Sequence, residues 1–173
     1  MDEAAPRLVD DSEAAQWAAD HGLAVTLGVG DCGLRERMLD VLGEWLSDAR
    51  GVLMPLIDPT ATLAQDARLG AAVQVFAHAH VGPGAFVGDG SLINTGAVVE
   101  HDASVGRASH VAPRAVLLGG ATIGDRTLVG AGTVVSTGIC VGDHVTVGAG
   151  SVVIRDHLAA GTIVGSPART VGA

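Results

Sequence analysis

A chain of 173 residues with a formal net charge of −9 and not one lysine suits one domain, or one domain and a fragment. Its lack of a basic stripe argues against a nucleic-acid partner. Only four residues are aromatic, two Trp and two Phe, although nearly half are hydrophobic, so the core must be narrow and aliphatic. Two cysteines, Cys32 and Cys140, give no disulfide framework. With no long apolar run and an N-terminus (MDEAAPRLVDD) unlike a signal peptide, the chain reads as cytoplasmic and away from membranes. The acidic excess is uneven: residues 1–56 carry 11 Asp and Glu against four Arg, residues 57–173 eight against six. The simplest reading of the acidic part is a solvated surface.

In chain order, SEAAQWAADHG (12–22) has the pattern of a short helix ended by Gly22. LAVTLGV (23–29) reads as a buried strand, and GLRERMLDVLGEWLSDARG (33–51) as an amphipathic helix stopping at Gly51. Strand and helix in alternation predict a small α/β segment over 1–56, a truncated Rossmann-like remnant. Within it, Gly28-Val29-Gly30-Asp31-Cys32-Gly33 matches GxGxxG between strand and helix. A dinucleotide fold needs far more chain and a second strand bearing a ribose-binding acid, so a plain strand-to-helix turn is favoured.

From Ile57 every sixth residue is aliphatic for seventeen positions: Ile57, Leu63, Leu69, Val75 and onward without a break to Val147 and Val153. Neither a helix nor a strand broken by turns keeps that register. It is the signature of a solenoid of stacked coils. The fifth hexad position is small or β-branched and lies two places before the next aliphatic one, so both point inward in an extended chain. The fourth is often Gly (Gly84, Gly90, Gly96, Gly120, Gly132, Gly138, Gly150), where a tight corner needs positive φ. Each hexad is thus a short strand plus a corner, three hexads close a triangular coil, and 57–158 form a mainly β protein's parallel β-helix. Residues 159–173 break the register, and Gly161, Gly165 and Pro167 mark a C-terminal loop or tail.

Three short stretches, Ile93-Asn94-Thr95, Glu100-His101-Asp102 and His110-Val111-Ala112-Pro113, together with VGAGSVVIRD and GSPAR near the end, resemble the left-handed β-helix sugar acetyltransferases. These comprise the UDP-4-amino-sugar N-acetyltransferases and the sialic-acid O-acetyltransferase group. The resemblance covers about residues 24–170 and implies the left-handed coil, which a period of six does not choose. It implies acetyl-CoA as cosubstrate, no metal, a homotrimer, and an amino or hydroxyl group of a sugar or nucleotide-sugar as acceptor, with a 4-amino sugar nucleotide for surface glycan synthesis preferred. Such proteins begin with a strand and a Gly-rich, His-containing loop that helps hold the sugar nucleotide. APRLVDD matches their second strand, so that loop is expected to be missing.

Acetyl transfer from a thioester needs a base for the acceptor's proton and donors for the developing oxyanion. His101 sits at an outward corner with carboxylates on both sides, and a carboxylate on one imidazole nitrogen fixes the tautomer. The family's catalytic His falls on His101 and its acidic partner on Asp102. Gly119 stacks one coil above His101, and the matching family glycine offers its N–H to the thioester oxygen. His110 is half a coil from His101, so the two lie on opposite sides of one prism, whereas Asn94 stacks near His110. If all serve one reaction, as the resemblance implies, one subunit supplies His101, Asp102 and Gly119, and its neighbour Asn94 and His110. By resemblance, coenzyme A meets backbone groups of Gly119, Ala131 and Ala149 in the groove between prisms. Arg155 and Arg169 are candidate phosphate partners, and Ser166-Pro167-Ala168-Arg169 matches the family's loop near the adenine.

The remaining histidines read as surface, interface or turn residues. Two rival readings come from other classes. A γ-class carbonic anhydrase needs three His ligands, two of them five apart, and no His pair here has that spacing. A non-catalytic trimeric scaffold that lost its acceptor domain is favoured by the missing Gly-rich loop and opposed by Glu100-His101-Asp102, Gly119 and GSPAR.

Overall fold

The computed structural model describes residues 13, 17, 18, 20–47 and 52–171. From Leu56 the chain is a succession of strands, mostly two residues long, joined by tight turns. Each pairs in parallel with the strand three hexads further along, Leu56 with Gln74, Gln74 with Leu92, Leu92 with His110. Three hexads therefore make one coil. The strands sort into sheets of eight, six and five that form the sides of a triangular prism. These are termed the His110 side, the Val98 side and the Ser104 side after a strand in each.

The hexad positions explain the prism. Val75, Val81, Val87, Ile93, Val99, Val105 and Val111 are wholly buried, so each coil sends three aliphatic side chains to the axis. Coils stack about 4.8 Å apart, and full burial of one such side chain stabilises by about 1.5–3 kcal/mol. Ile57 has the same place in the pattern but is 43% exposed, because no coil lies beneath the first one. Fifth-position Ser91, Ser109 and Thr127 are buried without being orphaned. The Ser109 hydroxyl donates to the Gly124 carbonyl at 2.7 Å and accepts the Thr127 N–H at 3.0 Å, both roles of one hydroxyl.

The fourth position is left-handed at every described corner from Ala72 to Gly150. Glycine supplies seven of these, but Ala72, His78, Asp102, Ala108, Arg114, Arg126 and His144 also have φ between 51° and 59°. The corner therefore dictates the backbone even where the residue resists it.

The N-terminal segment packs on one corner. Strand β1 (Ala24–Val25) pairs in parallel with β2 (Val52–Leu53), and helix α1 (Cys32–Ser47) connects them. The expected strand over 23–29 is only β1, although Leu27 is fully buried. Asp31 Oδ1 accepts the Leu34 N–H at 2.8 Å, an N-cap, and none of Gly28, Gly30 and Gly33 has positive φ. The GxGxxG stretch is thus an Asp-capped turn into α1. Leu27, Leu39 and Leu42 cluster with Ala72 and Ala108, and Glu36 and Asp40 of α1 meet Arg107 and Arg126 of the prism. The helix expected over 12–22 falls largely outside the described residues, as does the end of the 33–51 helix beyond Ser47. Gly22 at φ +64° fits the expected helix stop.

Where the sequence suggested a C-terminal loop, the chain forms a hairpin. Gly161–Gly165 pairs in parallel with Val145–Val147 and antiparallel with Ala168–Thr170. Ile163 stacks on Val147 and is buried, but it arrives two places short of three full hexads, so a six-residue count passes over it. Among the described residues no helix is long and apolar enough to cross a membrane.

Candidate active site

His101 occupies the third hexad position and Asp102 the fourth, on the corner between the Val98 and Ser104 sides. The Asp102 backbone turns left-handed at φ +58°, a conformation Asp tolerates better than most residues. Asp102 Oδ2 lies 2.9 Å from His101 Nδ1, and the two side chains are 61% and 75% exposed. The pair is built by the prism yet open to an incoming molecule. The hydrogen bond to Asp102, and then the charges of Asp102 and Glu100, hold His101 above the usual histidine range against a smaller opposing effect of burial.

Glycines bracket the pair. A methyl group at Gly119, one coil above, would lie 2.5 Å from His101 Cε1 and closer still to Nε2. One at Gly84, one coil below, would lie 2.7 Å from Asp102 Oδ1. With Nδ1–H given to Asp102, the lone pair is on Nε2, the atom set over Gly119.

The corners differ in their backbone donors. On the corner carrying α1, third-position N–H groups of Ala71, Arg107 and Asp125 are taken by Asp89, Asp125 and Asp143 at 2.8, 2.7 and 2.8 Å. The corresponding N–H groups on the other two corners have no partner among the described residues at Gly119, Thr137 and Arg155, nor at Ala131 and Ala149. On the α1 corner aspartates thus take three of these donors, whereas on the other two corners the donors at Gly119, Thr137, Arg155, Ala131 and Ala149 stay free. Thr137 was missed from sequence, although its place three hexads after Gly119 is a signal that finds it.

His110 and Asn94 come together as expected, with Asn94 Nδ2 at 3.0 Å from His110 Nε2. Asn94 Oδ1 accepts the Thr95 N–H, so its amide nitrogen faces the imidazole and donates to it. His110 Nδ1 is 3.2 Å from the Gly30 carbonyl, which can only accept. His110 is therefore neutral with its proton on Nδ1. Burial first, and the Arg35 charge after it, hold His110 below the usual histidine range against the bond to Gly30. The contact with Gly30 was not legible in sequence. His110 lies on a side of the prism opposite the His101 corner, and one subunit does not bring the two together.

Near the end of the prism, Arg155 and Arg169 line one cavity of about 170 Å³ with His157, Ile163 and Ala168. Pro167 lies in the hairpin turn beside it, exposed. The other histidines make local contacts: His80 Nδ1 is 2.8 Å from Thr62 Oγ1, and Arg126 donates to His144 Nε2 at 2.8 Å.

The family model for the bacterial transferase hexapeptide, six repeats, matches residues 120–155. No curated protein sequence matches the chain. Among solved structures, PerB from Caulobacter crescentus in complex with CoA and GDP-perosamine is 35% identical, with 92% of this chain and 75% of that one covered and a TM-score of 0.83. The acetyltransferase domain of PglB from Neisseria gonorrhoeae in complex with acetyl coenzyme A is 28% identical, with 99% and 84% covered and a TM-score of 0.84. AntD, an N-acyltransferase from Bacillus cereus, shares only the fold, at 17% identity and a TM-score of 0.63. The hexad prism, the His–Asp corner and an identity of 35% to PerB over 92% of this chain point the same way: the chain belongs to the left-handed β-helix sugar acetyltransferases built from hexapeptide repeats.

Proposed function

We propose that this acetyltransferase moves the acetyl group of acetyl-CoA to the amino group of an amino-sugar nucleotide, with His101 as base. The observation that carries the reading is the exposed His101–Asp102 pair set against the free N–H of Gly119. The acceptor nitrogen attacks the thioester carbon while His101 Nε2 takes its proton. Asp102 holds Nδ1–H and stabilises the imidazolium. The thioester oxygen, gaining charge, takes the Gly119 N–H. As the C–S bond breaks, the CoA sulfur leaves and is neutralised by the proton from His101. CoA bound to PerB and acetyl coenzyme A bound to PglB support the donor. GDP-perosamine bound to PerB supports a nucleotide sugar as acceptor.

The columns of free amides at Gly119 and Thr137 on one corner, and at Ala131 and Ala149 on another, suit a CoA chain in the groove between two prisms. Arg155, Pro167 and Arg169 stand where its nucleotide end would lie. His110 and Asn94 are the acceptor side of a site completed by His101, Asp102 and Gly119 of the next subunit. The protein therefore works as a homotrimer, and a donor and acceptor of this kind place it in the cytoplasm. The experiment is CoA-thiol release from acetyl-CoA with a panel of amino-sugar nucleotides and free amino sugars. Turnover that needs an amino-sugar nucleotide is expected, with kcat lowered about 10²–10⁴-fold in His101→Ala, the usual loss for a general base. No turnover with any acceptor overturns the reading, and His101→Ala within a few fold of wild type removes His101 as the base.

A further inference from the structure

Arg35 is the one charged residue with no exposure among the described residues, and no carboxylate among those residues pairs with it. Its Nε donates to the Gly90 carbonyl of the prism at 2.6 Å, and Nη1 donates to the Val29 carbonyl. Nη2 is buried with no partner among the described residues. Burying a guanidinium without a counter-charge carries a heavy desolvation cost, and an orphaned buried donor adds to that. A residue that served packing alone would be replaced at lower cost by Leu or Met.

What the guanidinium grips points to its use. It ties one carbonyl of the Val29–Gly30 pair to the prism, and the next carbonyl, that of Gly30, receives the His110 proton. Both carbonyls face the protein. In trans peptides the N–H of each unit points the opposite way, and those of Gly30 and Asp31 have no partner among the described residues. Arg35 thus fixes the Val29–Gly30 peptide unit directly, and the Gly30–Asp31 unit that meets His110 is the next along the chain.

Resting on the acetyl-transfer reading, we propose that Arg35 is a positioning residue for the acceptor side of the site, acting through the Val29–Gly30 carbonyls to hold His110 as its Nδ1–H tautomer. The ionisable groups facing His110 from the N-terminal segment are Arg35 and Cys32, whose thiol burial pushes up. From the prism, His110 is flanked by Leu92, Leu128 and Asn94, none of which titrates. Positive charge and burial act in one direction, and His110 stays neutral below the pH at which an ordinary histidine charges.

The test is nitrogen-15 NMR of the histidines in the full-length protein, with steady-state kinetics on wild type and Arg35→Lys. Lysine keeps the charge and loses the planar fork. Wild-type His110 is expected as the neutral Nδ1–H tautomer with a midpoint below the usual histidine value. Arg35→Lys should populate both tautomers and lower kcat/KM for the acceptor about tenfold, the scale of one displaced hydrogen bond, with KM for acetyl-CoA nearly unchanged. A variant with the wild-type tautomer and acceptor kcat/KM overturns the proposal, as does an equal loss toward both substrates. If Arg35→Lys does not fold, the wild-type spectrum decides, and an Nε2–H or charged His110 at neutral pH overturns it. Absence of turnover in wild type would sink the acetyl-transfer reading, while the tautomer measurement would still judge what Arg35 does to His110.

Discussion

At the scale of single residues, His101 and Gly119 make separable demands. The bond to Asp102 favours the imidazolium, so the base is neutral only at higher pH than an ordinary histidine. The acid limb of kcat/KM should therefore have its midpoint above the histidine reference of about 6.5. Asp102→Asn, which removes the charge and the strong acceptor, should bring that midpoint down and lower kcat. A pH profile that Asp102→Asn leaves in place would show that another group titrates. Gly119→Ala puts a methyl group against the His101 ring. Because that ring is largely exposed it can swing away, so the melting temperature should hold. The amide N–H is kept but the base leaves its position over it, and kcat should fall by about 10²-fold or more, the scale of a displaced general base. A stable variant with normal kcat would show that His101 does not work from its place over Gly119.

At the scale of elements, α1 is held to the prism by close approach as well as by charge. Gly90 has φ +63°, and a methyl group there would lie 2.8 Å from Leu39 Cγ. Gly90 also supplies the carbonyl that Arg35 grips. Gly90→Ala should destabilise by about 1–3 kcal/mol through strain and crowding. Leu39→Ala alone should cost about 2–5 kcal/mol as a buried large-to-small change. In the double variant the methyl group fills space that Leu39 vacates, so the two losses should not add. Strict additivity in urea unfolding would mean that the helix does not sit where the structure places it. The exposed ion pairs of Arg107 with Asp40 and Glu36 contribute little by comparison, since partly solvated pairs are worth about 0–1 kcal/mol.

At the scale of the whole molecule, the half-coil offset between His101 and His110 turns an active-site question into one of assembly. If each site takes His101 from one subunit and His110 from the next, His101→Ala and His110→Ala damage different halves. Trimers co-refolded from an equal mixture of the two inactive variants should regain up to about a quarter of wild-type activity, because random mixing leaves that fraction of interfaces intact. Mixed trimers, verified by mass spectrometry, that stay as inactive as their parents would refute the cross-subunit site. A monomer by light scattering would do the same.

The prism was legible in the order of the residues alone. A single coil cannot bury its own hydrophobic stripe, so an aliphatic residue at every sixth place from Ile57 to Val153 has one economical solution, the stacked coil. The three-hexad coil then puts Gly119 over His101 and Asn94 near His110 by arithmetic alone. Corners were half legible: glycine betrays seven of the left-handed fourth positions, but Arg114 and Arg126 hold the same backbone with nothing in their identity to say so. Tertiary structure alone decided the rest. The hairpin at 161–170 escaped because Ile163 returns to the stack two places early, outside the period. Likewise, which corners keep free amides depends on whether an aspartate of the coil above reaches back to the N–H below. And the grip of Arg35 on Val29 and Gly90, with Gly30 set against His110, joins parts of the chain that lie far apart in sequence. No local pattern encodes such contacts, because they arise only when an α/β segment docks on a prism that has already formed its sides.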